Sequence, residues 1–432
     1  MLIRIKGGHV IDPGNLDSVA DIIVKDDRIV EIIKRSDAKR TTESHRDVPY
    51  DHDIDATGKI VVPGLIDMHV HLREPGHEYK ETIETGCRAA VTGGFTAVCS
   101  MPNTSPVNDS SQVTEFIISK AKKAGLARVY PVAAISPGLQ GKGLSEYGEL
   151  KQAGAVAISD DGKPVVNSQL MRRAMEYAKR FNLLVISHCE DPELASDGAM
   201  NEGIVSTRLG LAGIPNAAES IMVMRDIAIC ELTKSSLHIA HVSTEESVNA
   251  IRKAKKRGIH VSAETAPHYF TLTDTAVLKY NTHAKMNPPL RGEKDRQAIL
   301  EGLSDGTIDA IATDHAPHAV LEKKVEFDKA LNGIVGLETS LSLSLDLVRQ
   351  GVLSLSGLIE KMSKTPARLI GVRNDFVVGN TADITIIDKE ASFTVNPDFF
   401  HSLGRNTPFA GWELKGKAML TMVGGKIVHI SS

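Results

Sequence analysis

Three features of the chain predict an α/β fold, a (β/α)8 TIM barrel with a small β-sandwich domain built from both chain termini. Eight apolar runs each end in polar residues, and helix-like stretches separate most of them. The two ends share a short-stranded, β-rich texture that the middle lacks. Strands alternating with helices call for a parallel sheet, and eight repeats are the number that closes one.

Taken in order, the first sixty residues hold "LIRIKGGHVI", "ADIIVKDDRIVEII" and "HDIDATGKIVV", runs broken by Gly, Asp-Asp and Thr-Gly. The middle supplies runs at 65–72, 95–103, 128–136, 155–161, 183–189, 237–243, 260–268 and 308–315. Between them, "SQLMRRAMEYAKRF" and "EESVNAIRKAKKRG" carry apolar residues at helical spacing. The alternating part runs to about residue 370, longer than the ~250 residues typical of the fold, so some loops must be enlarged. The clearest is "DPELASDGAMNEGIVSTRLGLAGIPNAAES" after the fifth strand. The tail returns to β texture in "TADITIIDKE", "ASFTV" and "AMLTMVGGKIVHI". The expected division is therefore a discontinuous sandwich, 1–60 with 371–432, around a catalytic barrel at 61–370. An open all-parallel sheet is the competing architecture; the count of eight and the chemistry below favour closure.

Composition narrows the function. Of 432 residues, 42% are hydrophobic and 24% charged, ordinary for a globular protein. A net charge of −4 offers no basic face for nucleic acid or an anionic membrane. No apolar run is long enough to span a bilayer, and "MLIRIKGGHVIDPG" lacks a secretion pattern, so a cytoplasmic location is expected. Cys87, Cys99, Cys189 and Cys230 show no C-x-x-C spacing and read as reduced, buried thiols.

The chemistry gathers at the strand ends. In "GLIDMHVHLREPG", His69 and His71 are two apart, so both side chains leave one face of the first strand towards the barrel mouth. Two such imidazoles can share one metal ion. The fourth run ends with Asp160 and Asp161, the fifth with His188, the sixth with His241 after His238, and the eighth with Asp314, His315 and His318. Mixed His/Asp donors suit Zn²⁺, with Mn²⁺, Co²⁺ and Fe²⁺ open by ligand type. Six donors are enough for one or two ions. His45, His52, His283, His401 and His429 lie in charged or β-rich contexts and read as unrelated to the site; His268 ends the seventh run close by.

"DMHVHLREPG", "SMPNTSPV", "SDDGKP", "SHCED", "AHVST", "MNPPLR" and "ATDHAPH", in that order, resemble the amidohydrolase superfamily and, within it, the class I dihydroorotases. The resemblance implies that His69 and His71 hold one metal, His188 and His241 the other, with Asp161 as the carboxylate from the fourth strand. It implies Asp314 as a ligand and the general acid/base. Arg73, Asn103, Asn287, His318 and the backbone around Asn332 and Gly333 match substrate-holding positions. Also implied are N-carbamoyl-L-aspartate and dihydroorotate as substrates, a homo-oligomer, and association with aspartate carbamoyltransferase, as in some relatives.

Two residues separate this reading from hydantoinases and allantoinases, which usually bridge their metals with a carbamylated lysine. Here the fourth strand reads "AVAISDDG"; Lys151 precedes it and Lys163 follows. Arg73 can grip a substrate carboxylate with two parallel hydrogen bonds, and a neutral hydantoin would not need it. A non-catalytic, metal-free barrel protein is the rival of another class, and it would be expected to lack some of the six ligands. The segment "PHAVLEKKVEFDKALNGIVG" reads either as a lid over substrate or as a solvated excursion.

Overall fold

The computed structural model describes residues 1–34 and 49–431, so His45 lies outside the described residues. N-terminal strands β1 (Leu2–Asp12), β2 (Leu16–Lys25), β3 (Arg28–Lys34), β4 (His52–Asp55) and β5 (Ile60–Pro63) precede the barrel. The barrel strands are β6 (Leu65–Val70), β7 (Phe95–Ser100), β8 (Arg128–Ala133), β9 (Ala157–Ile158) and β10 (Leu184–Ser187). A side pair follows, β11 (Met200–Asn201) and β12 (Gly213–Ile214). The barrel then resumes with β13 (Leu237–Ile239), β14 (Val261–Thr265) and β15 (Ala310–Ile311). Last come β16 (Ile384–Thr394), β17 (Glu413–Val423) and β18 (Lys426–Ile430).

The terminal strands share one hydrogen-bonded network in the order β18-β17-β16-β5-β1-β2-β3, with β4 beside β1. Ile3, Ile5, Ile22, Val24, Ile384 and Met422 are among the apolar side chains that form its core, so neither end of the chain could bury its apolar face alone. The two runs expected at "TADITIIDKE" and "ASFTV" form the single strand β16, whose pairing with β17 slips between Asp388 and Ser392. A bulge bends a strand without ending it, and composition alone does not distinguish that from a turn.

The barrel strands run parallel in chain order from β6 to β15, matching the eight expected runs. The regular ladders are short because polar residues leave them early. The helix Ser168–Arg180 starts at Asn167, whose side chain accepts from Gln169 and Leu170 N–H groups. Thr244 caps Glu245–Lys256 in the same manner, and lysines fill that helix's last turn, where they oppose its dipole. The enlarged loop after β10 folds into two short helices, Pro192–Ala195 and Ile204–Leu209, and the β11–β12 pair.

Closure between the first and eighth strands is made just past their regular ladders. Val70 bridges His315 in parallel register, and His71 N–H donates to His315 O at 2.9 Å. Below that point Asp67 Oδ1 accepts from the His69 and Thr313 N–H groups, both at 3.1 Å. One buried carboxylate thus ties β6 to the end of β15 beside two prospective ligands. Asp67→Ala should lower stability by about 2 kcal/mol or more, because two buried N–H groups lose their acceptor. Asp67→Asn, which keeps an acceptor, should lose much less. Urea midpoints of the metal-free proteins would check this, and equal midpoints for the two variants would contradict it.

Candidate functional site

The polar residues that follow the barrel strands converge at one mouth. His69 lies in β6 and His71 just past it, Asp161 in the turn after β9, His188 just past β10, His241 past β13 and Asp314 past β15. All six are buried. Two triads, His69–His71–Asp161 and Asp161–His188–His241, each keep their donor atoms within 4.8 Å of one another, and they share Asp161.

Asp161 Oδ1 lies 3.3 Å from His69 Nε2, 3.5 Å from His188 Nδ1 and 3.6 Å from His241 Nε2; Oδ2 lies 3.5 Å from His71 Nε2. Asp314 Oδ1 is 3.0 Å from His71 Nε2 and 3.6 Å from His69 Nε2. His188 Nδ1 and His241 Nε2 face each other at 2.8 Å. Donors about 3.3 Å apart are the edges of a tetrahedron around an ion with bonds of ~2.0–2.1 Å.

Protons fit the same picture. His69 Nδ1 donates to Glu264 Oε1 at 2.8 Å, so in the neutral ring Nε2 carries the lone pair. That Nε2 is buried without a hydrogen-bond partner, yet it points at the Asp161 and Asp314 carboxylates. A lone pair facing two carboxylates is repulsive unless a cation lies between them. His71 Nδ1 likewise donates to Asn103 Oδ1 at 2.9 Å, and His188 Nε2 faces Glu190 Oε2 at 3.4 Å. Three of the four imidazoles thus turn one nitrogen outward to an acceptor and the other inward, the arrangement that metal-binding histidines need, while the outward Nδ1 of His241 is buried without a partner among the described residues. These residues fit a dication.

The electrostatics point the same way. Burial works against the Asp161 charge, but His69, His188 and His241 hold its carboxyl well below the usual range. Burial also opposes charge on His69, yet Asp161 and Asp314 raise it well above an ordinary histidine. The ring attracts positive charge, whether proton or metal.

The backbone is strained where it aims these groups. Arg73 (φ +61°), His241 (φ +34°) and Asp314 (φ +47°) occupy the left-handed region that non-glycine residues avoid. Buried carboxylates hold the turns that bear this strain. Glu219 accepts from the Ser243 and Thr244 N–H groups just past His241, and Asp226 accepts from Ser187 Oγ beside His188. Asp160 is turned away from the ring and accepts from Ser136 N–H at 3.0 Å.

The other expected residues divide. Arg73 is mostly buried, and its Nε donates to Pro317 O at 3.2 Å. Its Nη atoms have no protein partner among the described residues and are left free for a ligand. Asn103 spends its amide on His71 and on Asp161 Oδ2, 3.2 Å away. Asn287 donates to Glu190 Oε2 at 3.2 Å. His318 Nε2 donates to Asn332 O at 2.7 Å, and the Gly333 N–H bonds to Lys285 O. His315 faces Glu81 and the Gly336 N–H outside the ring. His268 is buried, its Nε2 unpartnered, and burial pushes its pKa down to about 4. The segment after Asp314 is packed around Phe327, Ala330 and Lys323, whose ammonium donates to three backbone carbonyls.

Sequence reasoning missed Glu264 and Glu190. Glu264 sits within β14, and its other oxygen lies 3.3 Å from His238 Nε2, while His238 Nδ1 pairs with Ser262 Oγ at 2.8 Å. Burial disfavours the Glu264 charge, but the two histidines hold its pKa at about 2. The available signal was alternation, since Ser262 and Glu264 share the inward face of their strand.

A family model described as Dihydro-orotase-like matches residues 58–247. A dihydroorotase from Desulforapulum autotrophicum is 62% identical over 429 residues, which covers 99% of each chain. One from Geobacter metallireducens is 57% identical over 431 residues, covering 99% of this chain and 100% of its own. Among solved structures, an L-hydantoinase (dihydropyrimidinase) from Arthrobacter aurescens superposes with a TM-score of 0.87 at 26% identity. That match covers 100% of this chain and 97% of its own.

Glu264→Gln should weaken metal binding about 10–100-fold, the usual cost of losing a carboxylate behind a metal-bound histidine. Competition with a coloured chelator measures this directly. Unchanged affinity would mean that Glu264 serves the barrel core alone.

Proposed function

The chain belongs to the dihydroorotase family, and from that premise we propose that it interconverts N-carbamoyl-L-aspartate and dihydroorotate, a step of de novo pyrimidine synthesis leading to UMP. Catalysis belongs to residues 61–370 on this reading, with 1–60 and 371–432 as the supporting domain. One observation carries the assignment. A single carboxylate, Asp161, lies among four buried imidazoles, beside the Arg73 guanidinium whose Nη atoms lack a protein partner.

His69, His71, Asp161, His188, His241 and Asp314 are the residues that would hold one or two Zn²⁺ ions. Zn²⁺ is preferred for its tolerance of nitrogen and carboxylate donors together. When bound, such an ion acidifies a water molecule and polarises a carbonyl. Arg73 pairs with the substrate's α-carboxylate, and His318 with the Asn332–Gly333 turn forms the wall behind it. Asn103 and Asn287 act on substrate from positions where they also steady His71 and, through Glu190, His188.

Asp314 moves the proton. In ring opening it takes a proton from the attacking water and delivers it to the ring nitrogen that leaves. In ring closure it removes a proton from the carbamoyl nitrogen, which bonds to the side-chain carboxyl carbon as that carboxyl gives up its hydroxyl as water. Closure consumes one proton overall, so lower pH favours dihydroorotate.

The absence of a lysine in the ring supports this reading over a hydantoinase. Lys151 and Lys163, which flank the fourth strand, are both exposed. Four unpaired, buried cysteines support a cytoplasmic setting, and no described helix is long and apolar enough to cross a membrane. Self-association and docking with aspartate carbamoyltransferase belong to the same reading and rest on the resemblance alone.

Purified protein should turn over N-carbamoyl-L-aspartate at least about a hundredfold faster than hydantoin or allantoin, since a carboxylate-binding site left unpaired is costly. Metal content is measured on the same sample. Preference for a hydantoin, or turnover unaffected by metal removal, would overturn the assignment. Asp314→Asn should retain most of the metal and lose at least ~10²-fold in kcat, the low end for general acid/base catalysis. Near wild-type turnover in that variant would remove Asp314 from the mechanism.

A further inference from the structure

The groups assigned to the substrate's carboxylate end lie on separate stretches of chain. Arg73 follows β6, His318 follows β15, and Gly333 lies fifteen residues beyond His318. Arg73 Nε rests on Pro317 O, next to His318. None of these stretches is held by a regular ladder there.

The His318 and Gly333 stretches meet directly, through His318 Nε2 on Asn332 O and the Ala316 N–H on Ile334 O, and one side chain from outside the barrel binds both at once. Asn406 lies in the segment between β16 and β17 and is 1% exposed. Its Oδ1 accepts from the His318 N–H at 3.0 Å. Its Nδ2 donates to Ala316 O and to Gly333 O, both at 2.9 Å. Its own carbonyl accepts from the Val335 N–H at 3.0 Å. The side chain thus uses both of its donors and its acceptor at once, which a carboxylate cannot do for want of a donor.

The segment is wedged as well as bonded. A Cβ on Gly404 would come within 2.7 Å of both Pro317 Cβ and Val335 Cγ1. Beside it, Glu81 accepts from the Leu403 N–H at 3.1 Å and lies 3.3 Å from His315 Nε2. The backbone carrying Asn406 therefore has little freedom to follow if the loops move.

We propose that Asn406 is a positioning residue for substrate binding, fixing His318 and the Asn332–Gly333 turn relative to Pro317, on which Arg73 rests. It bonds to none of the six ring residues, so its contribution falls on substrate affinity and leaves metal loading and proton transfer to the ring. The proposal rests on the reading that His318 and its neighbours hold N-carbamoyl-L-aspartate.

The test is saturation kinetics with N-carbamoyl-L-aspartate on zinc-loaded Asn406→Ser, Asn406→Asp, His318→Ala and the His318→Ala/Asn406→Ser double variant, with metal content and melting temperature for each. Asn406→Asp keeps the shape if Asn406→Ser folds poorly. Expected is a KM raised about tenfold in both Asn406 variants, the scale of a lost buried hydrogen bond, with kcat within about threefold and metal content unchanged. The double variant should have a KM no higher than that of His318→Ala by more than about threefold, because Asn406 acts largely through that residue. A raised KM in His318→Ala with an unchanged KM in both Asn406 variants would overturn the proposal and leave the substrate reading intact. A fall in kcat and metal content at constant KM would assign Asn406 to general stability and overturn it as well. An unchanged KM in His318→Ala would remove the substrate reading of His318, and the proposal with it.

Discussion

Four imidazoles and two carboxylates are buried within a few ångströms of one another at the barrel mouth, and they can share that space only if their charges answer each other. Taking a carboxylate out of water costs several kcal/mol unless it is paired. Asp161 meets this condition with imidazoles on every side, and Asp314 with His71. Three of the histidines, His69, His71 and His188, have their outward nitrogens faced by Glu264, Asn103 and Glu190, which turns their other nitrogens inward. An inward ring of lone pairs and carboxylate oxygens is a cation's environment.

Holding that ring requires an outer layer of buried carboxylates. Asp67 closes β6 against the end of β15, Glu219 grips the turn after His241, and Asp226 steadies Ser187 beside His188. Three ring or mouth residues sit at positive φ, a conformation costing on the order of 1–3 kcal/mol each, which persists only where the surroundings over-determine it. Asp67 and Glu219 provide that restraint by accepting backbone N–H groups which the irregular turns leave without a ladder partner. This explains why so many acidic side chains lie inside a barrel whose core is otherwise apolar.

What was legible in the sequence follows from this layering. Strand ends announce themselves, because an apolar run that stops in His or Asp leaves a visible mark; His69, His71, Asp161, His188, His241 and Asp314 were found in that way and by resemblance. Glu264 left no such mark, since a single acid within "VSAET" looks like an ordinary solvent-facing strand position. Its partner His69 is 195 residues away, and nothing local links the two. Asn103 was read as a substrate contact, and the structure adds a bond to His71 that spacing could not reveal. In the sandwich, the β texture of both ends was plain, whereas the slip that lets β16 run unbroken past Asp388 depends on its neighbour β17.

The two halves of the mouth have different supports. The six ring residues are set by barrel strands and the turns that end them, so their spacing is fixed by hydrogen-bond ladders that also hold the fold together. The Arg73–His318–Gly333 side is set by side-chain bonds among loops and by the isolated His315–Ile334 bridge, and a key member of that network arrives from the far end of the chain. A change at Asn406 or Gly404 can shift the loops without disturbing a strand, whereas a change at Asp67 disturbs both strand closure and the His69 backbone. The loop-built side of the mouth is therefore softer than the ring. The tail of the chain is part of the mouth's structure for that reason, although it contributes no group to the ring itself.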